Sequence, residues 1–438
     1  MKQLNLSVII LIMTAAIFSC GKDETPAPPP STDLIGTITK DTILTSDKVW
    51  VLNGYVYIAN NATITIQAGT KIISDITNKG ALCIERGSKI NAVGTNTNPI
   101  VFTSGKAAGS KAPGDWGGVV ILGKAKTNRS STPVIEGGID RPYGGTDDLD
   151  NSGIMSYVRI EYAGIAAFPN SEINSLTLGG VGSGTKIEYI QTSYSNDDAY
   201  EFFGGKVSPK YLVAAYTADD DYDFDFGYTG KIQFAVSIRN PAFVDAGDAG
   251  NGIESDNDNP PTTAAPFTRP VLSNLTLVGS NGAAGQAANH NFANRWRRNS
   301  RFVIRNSILM GYPKAGFSLE QDGTAQGYKD GLAIFSDNLV HAILDPYKSN
   351  STVITAAEMK AKAESEGCIT FTNAADILLE DPFNLTAPNF APKTGSPALT
   401  GANFGGDLDA FFTTTTYRGA VGTTNWLSGW TRFFTVGQ

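Results

Sequence analysis

Apolar and polar residues alternate in short runs along most of the chain, and Gly- or Asn-rich turns separate the runs. Residues 49–74, VWVLNGYVYIANNATITIQAGTKIIS, show this plan clearly. Alternation with a period of two predicts β-strands that turn one face inward. The same plan recurs in VRIEYAG, IEYIQTSYS, YLVAAYTADD, IQFAVSIRN, LSNLTLVGS, FVIRNSILMG and LAIFSDNLVHAIL.

A longer repeat organises these runs. SNDDAYEFFGG, from Ser195, aligns without a gap over ADDDYDFDFGY, from Ala218, which gives a period of roughly two dozen residues, typical of a solenoid coil. Short strands also suit a β-sandwich. The persistence of the long period favours an all-β fold, a right-handed parallel β-helix over residues 34–350. Asn or Ser is expected to stack at its corners, at Asn240, Asn274, Asn306, Ser307 and Asn338.

Several segments interrupt the period. We predict loop insertions at 127–151, 241–270 and 279–300, gathered on one face that is a candidate binding face. One short helix is predicted over 355–367, within a helix and C-terminal capping segment, 351–438. The aromatic-rich tail is expected to cover the open end of the solenoid. Its aromatic residues are Trp426, Trp430, Phe433 and Phe434.

The composition excludes some functional classes. The chain has 438 residues and a net charge of −8, and this acidic balance argues against a nucleic-acid partner. Three cysteines and two histidines are too few for a disulfide framework or a Cys/His zinc site. Cys83 and Cys368 are predicted to be buried free thiols, because most of the solenoid would separate them. His290 and His341 are predicted to be structural.

The N-terminus has the pattern of a targeting segment. Lys2 precedes an apolar run that is too short to span a membrane and ends at Ser19-Cys20-Gly21. This resembles a bacterial lipoprotein signal, with a signal peptide over 1–19 and lipidation, such as palmitate, at Cys20. The alternative is a plain secretory signal. In a lipoprotein, residues 20–33 would comprise the lipidated Cys20 and a proline-rich tether that holds the β-helix off the membrane.

The most unusual feature is a column of acids that follows three successive strand-like runs. Hard carboxylate ligands suit Ca²⁺, and stacked coils would bring Asp198 over Asp221. In DYDFDF the acids should point outward and the aromatic residues inward. The alternatives are a solvated or salt-bridged acidic face and a set of catalytic acids. The candidate metal ligands are Asp198, Glu201, Asp221, Asp223, Asp225, Glu254 and Asp256, beside further acids at Asp197, Asp219, Asp220 and Asp258.

An arginine-rich run, NRWRRNSRFVIRNS, follows the column. Its arginines either pair with the acids, bind a uronate or take part in catalysis. If the protein is an enzyme, the candidate catalytic residues are Asp198, Asp221 and Arg298. As ligand contacts for a glycan we predict Tyr200, Tyr222, Trp296 and Arg297.

The order of motifs is similar to a family of large β-helix lipoproteins of Bacteroidetes. The motifs are DWGGVVILGKA, IEYAGI, the two acidic repeats, NGIESDNDNP, SNLTLVGS and the closing YRGAVG. Lys22-Asp23-Glu24, just after Cys20, resembles the surface-export signal of such lipoproteins. The resemblance covers nearly all of the mature chain. It implies a pectate-lyase-like superfold, a lipid anchor in the outer membrane facing outward, and proximity to a TonB-dependent transporter.

Three hypotheses for function follow. The first is a non-enzymatic accessory protein of an uptake system that binds a glycan, with Ca²⁺ in the acidic column. The second is a Ca²⁺-dependent polysaccharide lyase or glycoside hydrolase. The third is a scaffold that docks on an outer-membrane transporter.

Overall fold

Parallel strand pairing builds almost the whole molecule. The computed structural model describes residues 31–168, 171–247 and 249–438. The predicted signal peptide and Cys20 lie outside the described residues, as does the tether up to residue 30. Most strands belong to two sheets, of 17 and 11 strands. The fold is the predicted right-handed parallel β-helix. Among the described residues, no helix has the length and apolar character needed to cross a membrane.

The first coils contain β1 (Ser31–Leu34), β2 (Thr37–Ile38), β3 (Thr42–Leu44), β4 (Val49–Leu52), β5 (Tyr55–Ile58), β6 (Thr63–Ile66), β7 (Lys71–Ser74), β8 (Ala81–Ile84), β9 (Lys89–Val93), β10 (Ile100–Ser104) and β11 (Val119–Leu122). The central coils contain β12 (Gly153–Glu161), β13 (Ala166–Phe168), β14 (Ser171–Glu172), β15 (Leu176–Gly179), β16 (Lys186–Ser193), β17 (Tyr200–Phe203), β18 (Lys210–Ala215), β19 (Tyr222–Asp225), β20 (Lys231–Ile238), β21 (Ile253–Ser255) and β22 (Val271–Val278).

The last part contains β23 (Arg295–Trp296), β24 (Val303–Arg305), β25 (Ile308–Tyr312), β26 (Ala315–Glu320), α1 (Asp322–Lys329), β27 (Ile334–Ser336), β28 (Leu339–Ala342), β29 (Asp345–Asn350), α2 (Ala356–Ser365), β30 (Ile369–Thr370), β31 (Leu379–Asp381) and β32 (Asn389–Pro392). Two short 3₁₀ turns, Ala374–Ile377 and Pro397–Leu399, lie in the tail. The 11-stranded sheet runs through β2, β5, β8, β11, β15, β17, β19, β21, β23, β26 and β29, and we call it the second sheet.

One apolar core fills the coils from Leu34 to Cys368. It forms because alternate residues of each strand point inward, as in β6, where Ile64 and Ile66 are buried and the threonines are half-buried. Cys83 and Cys368 are both buried and free, which confirms that prediction.

Aromatic side chains stack along a corner of the larger sheet. Tyr157, Tyr189, Tyr211 and Phe234 all have positive φ, between 52° and 62°. Tyr189 stacks on Tyr157 with ring centroids 4.4 Å apart, and on Tyr211 at 4.3 Å. A positive φ is costly for a bulky residue, so repeated stacking helps to hold this bend. Further along, the predicted corner residues Asn274 and Asn306 have the same positive φ.

The C-terminal tail packs on this aromatic corner. Trp430 meets Tyr157 and Tyr189 edge-on, with centroids 5.8 and 6.0 Å away. Tyr162 Oη donates to the carbonyl of Gln438 at 2.8 Å. The tail therefore returns along the flank of the solenoid, which corrects the prediction that it covers the open end.

Helix α2 lies at the last coil instead, with Met359 and Ala363 buried in the main core. It confirms the predicted helix, and Thr355 and Glu358 form a capping box at its start. Helix α1 was not predicted. Its sequence, DGTAQGYK, holds two glycines, and Gln321 makes no side-chain capping bond, so it lacks the usual signals of a helix start.

Two insertions meet at one edge of the second sheet. Asn128 Nδ2, in the segment 127–151, donates to the carbonyl of Asn257 at 2.6 Å, and Arg129 forms an ion pair with Asp258. For these two of the three predicted insertions, the contacts confirm the expectation of a shared face. Strands β21 and β23 lie within segments predicted to be loops, because two- and three-residue strands carry almost no periodic signal.

Candidate functional site

The second sheet places a row of polar side chains on its outer surface. Thr177, Glu201, Asp223, Glu254 and Arg295 occupy equivalent positions on β15, β17, β19, β21 and β23. Neighbouring parallel strands lie about 4.8 Å apart, so these side chains are close neighbours. On β17 and β19 the inward positions on either side are aromatic, which confirms that the acids of DYDFDF point outward.

The register between these coils is 22 residues, with Tyr200 opposite Tyr222. The sequence alignment that put Asp198 over Asp221 was wrong by one position. The carboxylate of Asp198 instead accepts from the backbone N–H of Asp220 at 2.9 Å. Matching the inward aromatic residues gives the right register, because core packing fixes which residues face each other.

Asp221 consequently lies inside the solenoid. Its carboxylate is 3.0 Å from the Arg239 guanidinium and accepts from Tyr312 Oη at 3.3 Å. The side chains of Asp221 and Arg239 are fully enclosed. Asp221 therefore belongs to neither a metal site nor a catalytic set, contrary to both predictions.

Three of the predicted metal ligands do come together. Carboxylate oxygens of Asp198, Glu201 and Asp223 lie within 4.8 Å of one another. A second group shares Asp198 and adds Asp197 and Asp219, within the same limit. Such clusters have the hard oxygen donors that a divalent cation prefers.

Two carboxylate oxygens in this region are buried and lack a hydrogen-bond partner among the described residues. They are Oδ1 of Asp223 and Oδ1 of Asp225. By contrast, Glu201 accepts a hydrogen bond from Asn174 Nδ2. A buried charged oxygen without a partner is costly, so a cation or a proton is needed at Asp223 and Asp225.

Arginines neutralise the other end of the row. Arg295 bridges Glu254 at 2.8 Å and Glu320 at 2.9 Å. Arg297 pairs with Glu254 and, at 2.9 Å, with Asp256, and Arg298 also pairs with Asp256. Pairing of the arginines with the acids is therefore what the structure shows. Guanidinium groups engage Glu254 and Asp256, so these two acids are poorly placed as the metal ligands we predicted.

The predicted aromatic ligand contacts are part of the core. Tyr200 and Trp296 have no exposed surface, and Tyr222 is only 1% exposed. Tyr200 Oη donates to the carbonyl of Ile190 at 2.8 Å, and Trp296 Nε1 donates to Asn294 Oδ1 at 2.7 Å. Alternation turns these rings inward, so they form no ligand-binding surface. Arg297, the fourth predicted ligand contact, lines a cavity.

The segment 127–151, which we call the arch, lines a cavity of about 410 Å³ together with acids of the second sheet. Tyr55 Oη anchors this arch by donating to the carbonyl of Gly137 at 2.9 Å. We call the cavity the carboxylate cleft. Its charged lining consists of Glu136, Glu201, Asp223, Asp225 and Asp256 with Arg129, Arg297 and Arg298. Arg129 and Glu136 were missed by the sequence analysis, since only the insertion itself gave a signal.

Burial raises the pKa of most acids here. Although the Glu136 side chain is partly open to solvent, the surrounding protein desolvates its carboxyl and Glu172 repels it, which together raise its pKa to about 7. The pKa of Asp197 rises to about 8 through burial and the nearby Glu136. Burial raises the pKa of Glu254 to about 8, against the effect of Arg297 and Arg295. The same cause, with repulsion from neighbouring carboxylates, raises the pKa of four further acids well above its usual range: Asp198, Glu201, Asp223 and Asp225.

Both histidines are structural, as predicted. His290 Nε2 lies 3.0 Å from the carbonyl of Asn240, and His341 Nδ1 accepts from the backbone N–H of Gly311 at 3.1 Å. Neither lines the carboxylate cleft. Acid–base chemistry in the cleft would therefore fall to carboxyl groups.

Comparison with known proteins gives one match. Residues 36–377, more than half of the chain, match the family model described as a pectate-lyase-like β-helix domain. No curated protein and no solved structure matches the chain.

Proposed function

The chain belongs to the pectate-lyase-like β-helix domain family, and from this premise we propose that it binds a glycan and a divalent cation in the carboxylate cleft. The fold supports a polysaccharide-related role. A fold alone does not define an activity, so the proposal depends on the cleft itself.

The observation that carries it is the mixture of charges in one cavity. Asp223 and Asp225 present carboxylate oxygens that lack partners among the described residues, beside the guanidinium groups of Arg129, Arg297 and Arg298. A volume of about 410 Å³ falls within the usual range for small-molecule sites. Carboxylates and guanidinium groups can together accept from and donate to the hydroxyls of a sugar.

We assign the cation to the group Asp198, Glu201 and Asp223, and Ca²⁺ is the ion that an all-oxygen donor set favours. Burial and, after it, repulsion between neighbours raise the pKa of these carboxyls, and a bound cation would offset both effects. Glu201 and Asp223 also line the cleft, so a cation held by this group would lie beside a bound sugar.

Calcium binding is tested by thermal unfolding in Ca²⁺ and in a chelator. At 100 times its dissociation constant, a ligand of the native state stabilises by about 2.7 kcal/mol. We expect Ca²⁺ to raise the melting temperature of the wild type and of Asp345→Asn, an exposed acid on β29. Asp223→Asn should lose the Ca²⁺-dependent shift. If both variants show an equal shift in melting temperature, Ca²⁺ binds elsewhere. If the wild type shows no shift, the proposed Ca²⁺ site is wrong.

Glycan binding is tested by calorimetry with a panel of oligosaccharides in the presence of Ca²⁺. We expect Asp225→Asn to weaken binding about tenfold, as loss of one charge-assisted hydrogen bond does, and Asp345→Asn to leave it unchanged. If the Ca²⁺-loaded wild type binds no member of a broad panel, the proposed function is wrong.

A second candidate function is cleavage of the bound glycan. It is favoured by Glu136, whose pKa of about 7 keeps part of its population protonated at neutral pH, as a general acid requires. Glu201 and Asp223 line the same cavity as Glu136, so either could serve as the second carboxyl that a glycosidase requires. If this candidate holds, the wild type releases reducing or unsaturated ends and Glu136→Gln abolishes the release. If the wild type binds a glycan but releases no such ends, cleavage is refuted and the accessory binding role remains.

We also propose a lipid anchor at Cys20 that holds the β-helix outside the outer membrane near a TonB-dependent transporter. The support is Ser19-Cys20-Gly21 and the proline-rich tether that follows. Cys20→Ala should move the protein from the membrane fraction to the soluble fraction. Protease added to intact cells should digest the wild type if it faces outward, and co-purification with a transporter would support the partner.

A further inference from the structure

A second cavity, of about 490 Å³, lies on the other side of the arch. Its charged lining consists of Arg86, Lys124 and Arg141 with Glu85 and Asp147. Three cations against two carboxylates leave one net positive charge, whereas the carboxylate cleft is acid-rich. Apart from the insertion at 127–151, which contributes Arg141 and Asp147, the residues of this cavity carried no signal in the sequence.

The register places this cavity on the same face as the cleft. Ile84 and Ile121 pair across β8 and β11, and the pairing continues through β15, β17 and β19 to Phe224. Glu85 and Asp225 therefore occupy equivalent positions in their coils, because each directly follows a residue of this ladder, Ile84 or Phe224. Two strand spacings separate β11 from β17, which is roughly 10 Å along the face. One extended ligand is long enough to enter both cavities.

The three cations differ in how they are engaged. Arg141 Nε lies 2.6 Å from Glu85 Oε1, and its guanidinium stacks over Tyr57. Arg86 Nη1 donates to the carbonyl of Gly144 at 2.9 Å, and its guanidinium forms no ion pair within the described part of the chain. Lys124 is exposed, and its ammonium forms no ion pair or hydrogen bond with the residues that the structure describes. Lys124 is thus the cation best placed to meet a ligand.

We propose that this cavity is a second subsite, in which Lys124 and Arg86 bind an anionic substituent of the glycan. The inference rests on the proposed function, because the ligand is the same glycan whose neighbouring part occupies the carboxylate cleft. The substituent is a carboxylate or a sulfate ester, since both present oxygens that an ammonium and a guanidinium bind. A neutral glycan gains nothing from this cavity.

The test is calorimetry on the Ca²⁺-loaded full chain with neutral, carboxylated and sulfated oligosaccharides of increasing length. Lys124→Ala should weaken binding of long anionic oligosaccharides about tenfold, the loss of one charge-assisted contact. It should not change binding of neutral oligosaccharides or of anionic ones too short to reach both cavities. The carboxylated and sulfated series show which substituent the subsite takes.

Lys126→Ala is the matched control, because Lys126 is also exposed but forms an ion pair with Asp148 at 3.5 Å and does not line the cavity. It should leave every affinity unchanged. If Asp225→Asn weakens binding while Lys124→Ala weakens none, or no more than Lys126→Ala, the subsite is refuted and the proposed function stands. If the wild type binds no oligosaccharide, both fail together.

Discussion

The Arg239 guanidinium lies 3.0 Å from the Asp221 carboxylate inside the solenoid, and neither side chain reaches solvent. Arg239 also donates to the carbonyls of Asp219 and Ala218, at 2.6 and 3.2 Å. Arg239 thus links the carbonyl groups of this turn to the buried carboxylate of Asp221. The role of the pair is structural, although Asp221 belongs to the most acidic stretch of the chain.

Breaking this pair should destabilise the fold strongly. Arg239→Met leaves a buried carboxylate unpaired, which costs about 3–5 kcal/mol. Arg269→Met is the control, because the pair of Arg269 with Asp407 is partly exposed and should contribute only about 0–1 kcal/mol. Urea unfolding followed by circular dichroism measures both. Similar small losses in the two variants would contradict a structural role for the pair.

Much of the fold could be predicted because its signals are local and repeated. Alternation gave the strands, the long period gave the solenoid, and a run of good helix formers that stops at Gly367 gave α2. The outward direction of Asp223 and Asp225 followed from the same alternation.

What could not be predicted depends on long-range packing. The sequence alignment placed acids opposite acids. In the structure, core packing places Tyr200 opposite Tyr222, and Asp221 consequently lies inside the solenoid. Arg295 reaches Glu254 only because a long insertion returns to the next strand of the sheet. Nothing in the tail sequence shows that Trp430 packs beside Tyr189, since that contact joins distant parts of the chain.

The stability of the metal-free protein should depend on pH in an unusual direction. Asp197 and Glu254 both have pKa values of about 8, above the value of about 4 that a carboxyl has in an unfolded chain. Between these values the native state binds more protons than the unfolded state. The free energy of unfolding should therefore fall as the pH rises from about 4 to about 8.

Thermal unfolding in a chelator across this range measures the effect. Asp197→Asn should be more stable than the wild type at pH 8, where the wild type begins to carry the buried charge, and similar to it at pH 4. Asp345→Asn, on the exposed surface, should follow the wild type throughout. A stability that rises with pH in the metal-free protein would show that these carboxyls are well solvated or paired.

The two buried thiols should be unreactive in the native protein. Burial raises the pKa of Cys368 to about 12 and raises that of Cys83 further, so little thiolate forms at neutral pH. In a Cys20→Ser background, a thiol reagent should react with both only after unfolding. Val436→Cys in that background is the control, because Val436 is 55% exposed and the new thiol should react at once. Immediate reaction at Cys83 or Cys368 would contradict their burial.

The tail should detach from the solenoid when its central aromatic anchor is removed. Trp430 has no exposed surface and contacts Tyr157 and Tyr189. Trp430→Ala should therefore weaken the packing of the tail on the flank of the solenoid by about 3–5 kcal/mol. The ladders of the β-helix pair strand with strand and do not depend on this contact. We therefore expect limited proteolysis with mass spectrometry to show faster cleavage after residue 400, with the coils intact. Val436→Ala, at an exposed position of the same tail, should be cleaved like the wild type. If Trp430→Ala instead accelerates cleavage throughout the coils, the tail is an integral part of the solenoid core.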